Sequence, residues 1–244
     1  MILAAGLGTR LRPLTEALPK PLLPVGGRPL IYYNLLLLKK YGITDILINV
    51  HHHAKKIIDE LGNGNAIGMH ISYSEEAEIL GTGGGIKKAQ AFLDDGAFLV
   101  INGDILVDID LDRLVAFHQK KGGMATLVLR DDPDLMQYGA IDLDDNDQIQ
   151  NILGKATPAV KTRKKMFTGI HIIEPSGLDY IPAGKFYSII DAYLAMLHKG
   201  EKLFGYSMQG YWNDIGVPER YYAVNQAMDA GKICLSYIPS TSLS

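Results

Sequence analysis

Ile2-Leu3-Ala4-Ala5-Gly6-Leu7-Gly8-Thr9-Arg10, followed ten residues later by Pro19-Lys20-Pro21, decides how the rest of this chain is read. An apolar strand runs straight into a glycine loop, and two cations come behind it. Gly6 and Gly8 can adopt φ > 0 and let backbone N–H groups approach an anion with no Cβ in the way. Arg10 and Lys20 add the charge. No Gly-Lys-Ser/Thr follows, so this is not a P-loop, and Leu11 stands where a dinucleotide fingerprint has its third glycine. The stretch therefore predicts a phosphate cradle at the carboxyl end of a strand in an α/β fold.

The chain downstream supports that class. Residues 2–5, 45–50, 70–73 and 98–102 read as short apolar strands, and 30–41, 54–61, 85–92 and 111–120 have helical length and period. This βα alternation predicts a doubly wound, mostly parallel mixed sheet of Rossmann-like type, with ligands at the carboxyl ends of its strands. Beyond Lys121 the texture changes to strands at 125–130, 138–143, 148–152 and 167–173, separated by Asp, Asn and Gly turns, which reads as mixed or antiparallel. A last helix is expected over 219–230. One catalytic domain over 1–236 and a loosely held tail over 237–244 complete the expected organisation.

Composition narrows the function. The 244 residues, 47% hydrophobic, suffice for a sizeable core, and a net charge of −3 offers no footprint for nucleic acid. The longest apolar run, Leu35-Leu36-Leu37-Leu38, is too short for a bilayer, and the start has no basic leader-like segment. These features predict no nucleic-acid or membrane partner and a cytoplasmic location. The lone cysteine, Cys234, excludes an intramolecular disulfide framework and reads as a small core residue.

Asp104 follows the strand over 98–102 through Asn102-Gly103, and Asp214 follows Tyr211-Trp212 and precedes Gly216. Each alone fits a turn or cap aspartate as well as a ligand. His51-His52-His53 lacks a third ligand at zinc spacing and reads as a strand-end polar cluster. Asp108, Asp110 and Asp112 read as turn and cap residues, and Lys161-Thr162-Arg163-Lys164-Lys165 as an exposed basic face. Glu75 and Glu76 precede Leu80-Gly81-Thr82-Gly83-Gly84-Gly85, where flat backbone could lie beside a ring.

Taken together, Leu3 to Thr15, Pro19-Lys20-Pro21, Leu80 to Gly85, Asn102-Gly103-Asp104, Thr168-Gly169-Ile170 and Trp212-Asn213-Asp214-Ile215-Gly216 resemble the sugar-1-phosphate nucleotidylyltransferases, in the family's order and over nearly the whole chain. The resemblance implies transfer of a nucleotidyl group from a nucleoside triphosphate to a sugar 1-phosphate, giving an NDP-sugar and pyrophosphate. The nucleophile is an already ionised phosphate, so catalysis reduces to positioning and charge neutralisation. The resemblance assigns Mg²⁺ to Asp104 and Asp214, the leaving pyrophosphate to Arg10, and the space between the reacting phosphates to Lys20. It assigns nucleotide contacts to Leu3, Ala5, Gly6, Gly8, Thr9, Glu76, Gly81, Thr82 and Gly83. Sugar-phosphate contacts fall to Asn102, Gly139 (after Tyr138), Lys155 and Thr168.

Two departures bear on the substrates. The family's usual Glu-Lys-Pro reads Gly154-Lys155-Ala156 here, which removes a hexose contact. The Gly-Thr-Gly-Gly-Gly form is similar to both mannose-1-phosphate guanylyltransferases and N-acetylmuramate-1-phosphate uridylyltransferases. The uridylyl branch commonly has glutamate where Gly81 stands, and the guanylyl branch commonly continues into a β-helix domain beyond the length of this sequence. GTP with mannose 1-phosphate or a related sugar is the first expectation, and UTP with N-acetylmuramate 1-phosphate or another hexose 1-phosphate the second. A non-catalytic sugar-nucleotide-binding subunit is the reading from another class, and a homo-oligomer is compatible with all three.

Overall fold

The structure, a computed structural model, describes residues 1–133, 135, 139–155 and 160–238. Tyr138, Ala156 and the tail beyond 238 lie outside the described residues. The chain has the expected Rossmann-like mixed α/β fold. Its contacts divide it into two compact units, the first made of residues 1–79, 102–109 and 210–244, the second of 80–101 and 110–209. The expected single domain over 1–236 draws on both.

In the first unit the strands Ile2–Leu3, Asp45–Val50 and His70–Glu75 pair in parallel, with Ile2 opposite Ile48 and Ile46 opposite Ile71. Five of the six residues of Asp45–Val50 are buried, as befits a central strand covered on both faces. The helix Leu30–Lys40 presents Leu30, Ile31, Leu35, Leu37 and Leu38 inward, and its last turn carries Lys39 and Lys40, which suit the negative end of the helix dipole. Ala54–Leu61 is built the same way, with Ile57 and Leu61 buried. A two-stranded antiparallel ribbon joins Ile105–Val107 to Trp212–Asp214, with Asp214 opposite Ile105. The helix Pro218–Asp229 follows, proline at its first turn.

Leu11, Leu23, Leu30, Tyr33, Leu106, Ile215 and Val224 form one apolar cluster in this unit. Tyr237 and Ile238 pack against it, and Tyr237 donates its hydroxyl to the Val107 carbonyl at 2.8 Å. Tyr237 and Ile238, expected to open a loosely held tail, are thus packed and bonded. Cys234 is exposed, not the core residue its type suggests. Its neighbours Ile233 and Leu235 supply the burial instead.

The second unit is largely antiparallel. Arg163–Ile173 is its central strand, pairing antiparallel with Phe98–Asn102, Ala125–Arg130 and Ala140–Leu143, and Leu203–Ser207 runs parallel to Ala125–Arg130. The strand read over 167–173 is thus longer by four residues at its start. Three residues of the run expected to be an exposed basic face, Arg163 to Lys165, begin it; Lys161 and Lys164 are exposed, whereas Arg163 and Lys165 are half-buried. Arg163 donates to the Asp144 carbonyl at 2.6 Å and pairs with Asp147, while Lys165 pairs with Asp131 at 2.7 Å. The helix Ile189–His198, capped by Ser188, and the strand Leu203–Ser207 were not legible as elements beforehand. Asp110 is the expected N-cap, accepting from the Arg113 N–H at 3.0 Å. Among the described residues no helix is long and apolar enough to cross a membrane.

Candidate active site

The ladder of strand Ile2–Leu3 ends at Leu3, and from there the chain leaves the sheet as a loop. Gly8 turns it, with φ of 65°, and a Cβ at that position would stand 3.0 Å from the Thr15 methyl. Thr15 closes the turn by donating its hydroxyl to the Gly8 carbonyl at 2.7 Å. Thr9–Leu11 then forms a single 3₁₀ turn whose Leu11 is fully buried, so the apolar cluster holds the residue next to Arg10. A Cβ on Gly6 would meet nothing within 4 Å, so this glycine opens space toward a ligand.

Lys20 begins a second 3₁₀ turn, Lys20–Leu22, and is buried. Its ammonium lies 2.6 Å from Asp104 Oδ2 and 3.9 Å from Asp214 Oδ1. The two aspartates, far apart in sequence, are brought together by the ribbon. Asp104 precedes its first strand and Asp214 ends its second, and the Ile215 N–H donates to the Asp104 carbonyl at 3.0 Å. Two glycines make the arrangement possible. A Cβ on Gly103 would stand 2.8 Å from the Leu3 carbonyl oxygen, and one on Gly216 would stand 2.9 Å from both Asp214 carboxylate oxygens.

Burial pushes the Asp214 carboxyl above its ordinary range, the charge of Asp104 adds to that, and Lys20 and Arg10 oppose it. Two carboxylates sharing a partly dehydrated spot favour a cation between them. Lys20 is that cation here. Arg220, in the first turn of Pro218–Asp229, adds a second, 3.4 Å from Asp214 Oδ2. Arg220 is not legible from sequence, since nothing in the spacing distinguishes it from a surface residue.

The cleft above this cluster, about 280 Å³, is lined by Gly6, Leu7, Gly8, Thr9, Arg10, Leu11, Lys20, Ile79, Asp104 and Gly216. Six residues assigned from sequence, Gly6, Gly8, Thr9, Arg10, Lys20 and Asp104, thus line one concavity. Ala5 is buried, and Leu3 serves by accepting from the Gly103 N–H at 2.8 Å. Asn102 accepts at its carbonyl from the buried Asn34 amide at 3.3 Å. Glu76 is buried, and its Oε1 accepts from Asn49 Nδ2 at 2.7 Å. His51 Nδ1 lies 2.8 Å from the Glu76 carbonyl and His53 Nε2 3.2 Å from that of Glu16, so two of the three histidines fasten backbone. Among the described residues no group of three or more His, Cys, Asp or Glu could hold a metal. Asp104 and Asp214 remain a carboxylate pair, a donor set that suits Mg²⁺, which takes one or two carboxylates together with substrate phosphates.

The other assigned residues belong to the second unit. Gly81, with φ of 71°, opens the helix Gly81–Lys88, so the glycine run is helical, not the flat stretch expected. The N–H groups of Gly83 and Gly84 both donate to the Tyr187 carbonyl, at 2.9 and 3.1 Å. A Cβ on Gly84 would stand 2.5 Å from the Lys185 carbonyl oxygen. Thr82 accepts at its hydroxyl from the Ile189 N–H at 2.9 Å. These residues dock the helix on the segment 185–189. Thr168 is buried and donates to the Val128 carbonyl at 2.8 Å, Gly139 has φ of 88°, and Lys155 is exposed.

A glycine loop, two paired carboxylates and a lysine between them thus meet at one cleft in the first unit. Residues 1–231 match the nucleotidyl transferase family, and the chain belongs to it. It is 36% identical over 239 residues to a UTP–glucose-1-phosphate uridylyltransferase of Synechocystis sp., covering 92% of this chain and 62% of that protein. It is 36% identical over 226 residues to a mannose-1-phosphate guanyltransferase of Debaryomyces hansenii, covering 91% and 62%. Among solved structures it resembles HddC from Yersinia pseudotuberculosis complexed with GMP-PN, with a TM-score of 0.76, 28% identity, and coverage of 92% of this chain and 96% of that one. The chain spans about three fifths (62%) of the length of the curated relatives it matches.

Proposed function

We propose that this chain transfers a nucleotidyl group from a nucleoside triphosphate to a sugar 1-phosphate, releasing pyrophosphate and forming an NDP-sugar. The observation that carries the reading is the placement of Lys20 against both Asp104 and Asp214 at the floor of a cleft lined by Gly6, Gly8 and Arg10. Two anions must meet in this reaction, and their repulsion is the main barrier that residues can lower. Backbone N–H groups of the glycine loop receive the triphosphate, and the Arg10 guanidinium, a fork matched to phosphate oxygens, holds its β,γ end. Lys20, a compact ammonium, follows the charge that builds between the α-phosphate and the incoming sugar phosphate. Asp104 and Asp214 would hold Mg²⁺, which neutralises phosphate charge when bound. No general base is assigned, because the nucleophile is ionised at neutral pH.

The first expectation for substrates is GTP with mannose 1-phosphate, supported by the Debaryomyces relative and by an acid, Glu76, able to accept from guanine N1–H and the 2-amino group. The Synechocystis relative favours a second reading, UTP with glucose 1-phosphate. A cytoplasmic location, a homo-oligomeric state and supply of NDP-sugars to cell-envelope polysaccharide go with this proposal. A purely binding subunit is disfavoured because Arg10, Lys20, Asp104 and Asp214 are all retained. The test is Mg²⁺-dependent pyrophosphate release from each of GTP, UTP, dTTP, CTP and ATP, crossed with a panel of sugar 1-phosphates. Release from none of them overturns the proposal.

A further inference from the structure

We propose that Asn49 is a positioning residue that ties the phosphate loop to the carboxylate of Glu76 and thereby sets nucleobase preference. This rests on the function proposed above. Asn49 lies near the end of the buried strand Asp45–Val50, flanked by Ile48 and Val50, and is itself only 2% exposed. An amide in such a place is costly unless both its ends are bonded. Both are. Oδ1 accepts from the Ala4 N–H at 2.8 Å and Nδ2 donates to Glu76 Oε1 at 2.7 Å. The partners fix the orientation of the amide, because a backbone N–H can only donate and a carboxylate only accept.

The first bond sits where the loop begins. In the parallel ladder Leu3 is opposite Asn49, and Ala4 is the first residue beyond it. The Asn49 side chain thus supplies the acceptor that the sheet no longer offers, and the chain can turn away without stranding an N–H. The second bond reaches the other edge of the same strand. Glu76 is held there by three consecutive residues: its carboxylate by Asn49, its N–H by the Val50 carbonyl at 2.8 Å, and its carbonyl by His51 Nδ1 at 2.8 Å. One side chain therefore sets both where the triphosphate cradle starts and how the carboxylate is turned.

A carboxylate that receives an amide N–H stays an acceptor. It suits bases carrying an imino N–H, guanine, uracil and thymine, and it repels adenine and cytosine, which present a ring nitrogen lone pair at the corresponding position. Asn49→Asp separates the two arms. An aspartate still accepts from the Ala4 N–H, but it can no longer donate to Glu76. Asn49→Ser is too short for either bond.

The experiment is calorimetric titration of the full chain, without sugar phosphate, using GTP, UTP and inorganic tripolyphosphate as probes. Tripolyphosphate reports on the loop alone and the nucleotides on loop and base together. For Asn49→Asp we expect about tenfold or greater loss of affinity for the preferred nucleotide and less than about twofold for tripolyphosphate. Asn49→Ser should lose both. Equal losses for nucleotide and tripolyphosphate in Asn49→Asp, or no loss in either, overturn the proposal. If Asn49→Asp melts more than about 10 °C below wild type, Glu76→Gln decides: it must weaken the nucleotide and spare tripolyphosphate, and any other pattern overturns the proposal. Wild-type protein that binds tripolyphosphate but no nucleotide removes the base-reading role and this proposal with it. Wild-type protein that binds neither removes the proposed function itself.

Discussion

Both units carry a glycine-rich stretch, and the glycines do opposite things. In the first unit Gly6 borders open space, with nothing within 4 Å of an added Cβ, and lines the cleft. In the second unit Gly84 sits where a Cβ would be 2.5 Å from a carbonyl oxygen, and its own N–H is already bonded to Tyr187. One glycine leaves room for something to arrive; the other leaves room for backbone that is already there. The polar groups divide in the same way. In the first unit two carboxylates and a lysine are crowded together with Asp214 pushed toward protonation. In the second unit, Asn151 bonds Asp142 at 2.5 Å and His118 is held between Thr126 and Glu174, at 2.8 and 3.0 Å. Crowded charge thus marks the cleft of the first unit and mutual pairing these polar groups of the second, a distinction that a motif alone does not make.

The largest test of this contrast removes a carboxylate. Asp104→Asn or Asp214→Asn should lower kcat by roughly 10²–10³-fold while circular dichroism and melting remain close to wild type. Near-normal turnover at saturating Mg²⁺ would show that the crowded charges are not the machinery. Next, the two cations should separate. Lys20→Ala is expected to lower kcat by about 10²-fold at saturating substrates. Arg10→Ala should chiefly raise KM for the triphosphate, by about tenfold, because its contact is made in ground and transition states alike. Identical KM increases with unchanged kcat would make Lys20 a binding residue only.

The glycine contrast is tested by stability. Gly84→Ala should cost about 1–3 kcal/mol in urea unfolding, from overpacking against the Lys185 carbonyl, whereas Gly6→Ala should stay within about 0.5 kcal/mol. Equal effects would erase the distinction. The last test is a pH slope. His171 is buried against Tyr193, whose hydroxyl lies 2.6 Å from its Nδ1, and burial lowers its pKa to about 3. The unfolded chain therefore binds a proton that the folded one refuses between about pH 6.5 and about pH 3. Stability from this group is present above pH 6.5 and should fall as pH drops through that window, by up to about 1.4 kcal/mol per pH unit. His171→Leu should flatten the slope, measured as urea midpoints from pH 7 to pH 4.

The site was legible wherever chemistry is confined to short motifs. Gly6, Gly8, Arg10, Lys20 and Asp104 were named from sequence and line one cleft, because a phosphate cradle with cations has few ways to be written. The βα alternation gave the parallel strands of the first unit for the same reason of period. What escaped depended on distant partners. Glycine costs about 1 kcal/mol per residue in a helix, so the helix was read only from Gly85, until the segment 185–189 is seen to require the smallness of Gly81, Gly83 and Gly84. Asn49 looked like one polar residue in an apolar strand, and only the fold shows Ala4 and Glu76 at its two ends. Arg220 was invisible because its partner is set by the ribbon, not by spacing along the chain.

That ribbon also imposes an order of events. The chain leaves the first unit after Ile109 and returns at Gly210, so residues 110–209, the larger segment of the second unit, lie in sequence between two strands that pair with each other. The ring is closed by the Asp108 N–H on the Tyr211 carbonyl at 2.9 Å. During synthesis the glycine loop, Lys20 and Asp104 emerge early, yet Asp214 arrives only after the whole excursion has been made. Contacts of such long sequence separation form late, since the closure entropy must be met before they stabilise anything. Until residue 214 has been made, Lys20 is therefore matched to a single aspartate. The carboxylate pair is complete only once the returning strand has paired with Ile105–Val107, and a chain cut before residue 214 keeps the glycine loop, Lys20 and Asp104 but lacks the second carboxylate.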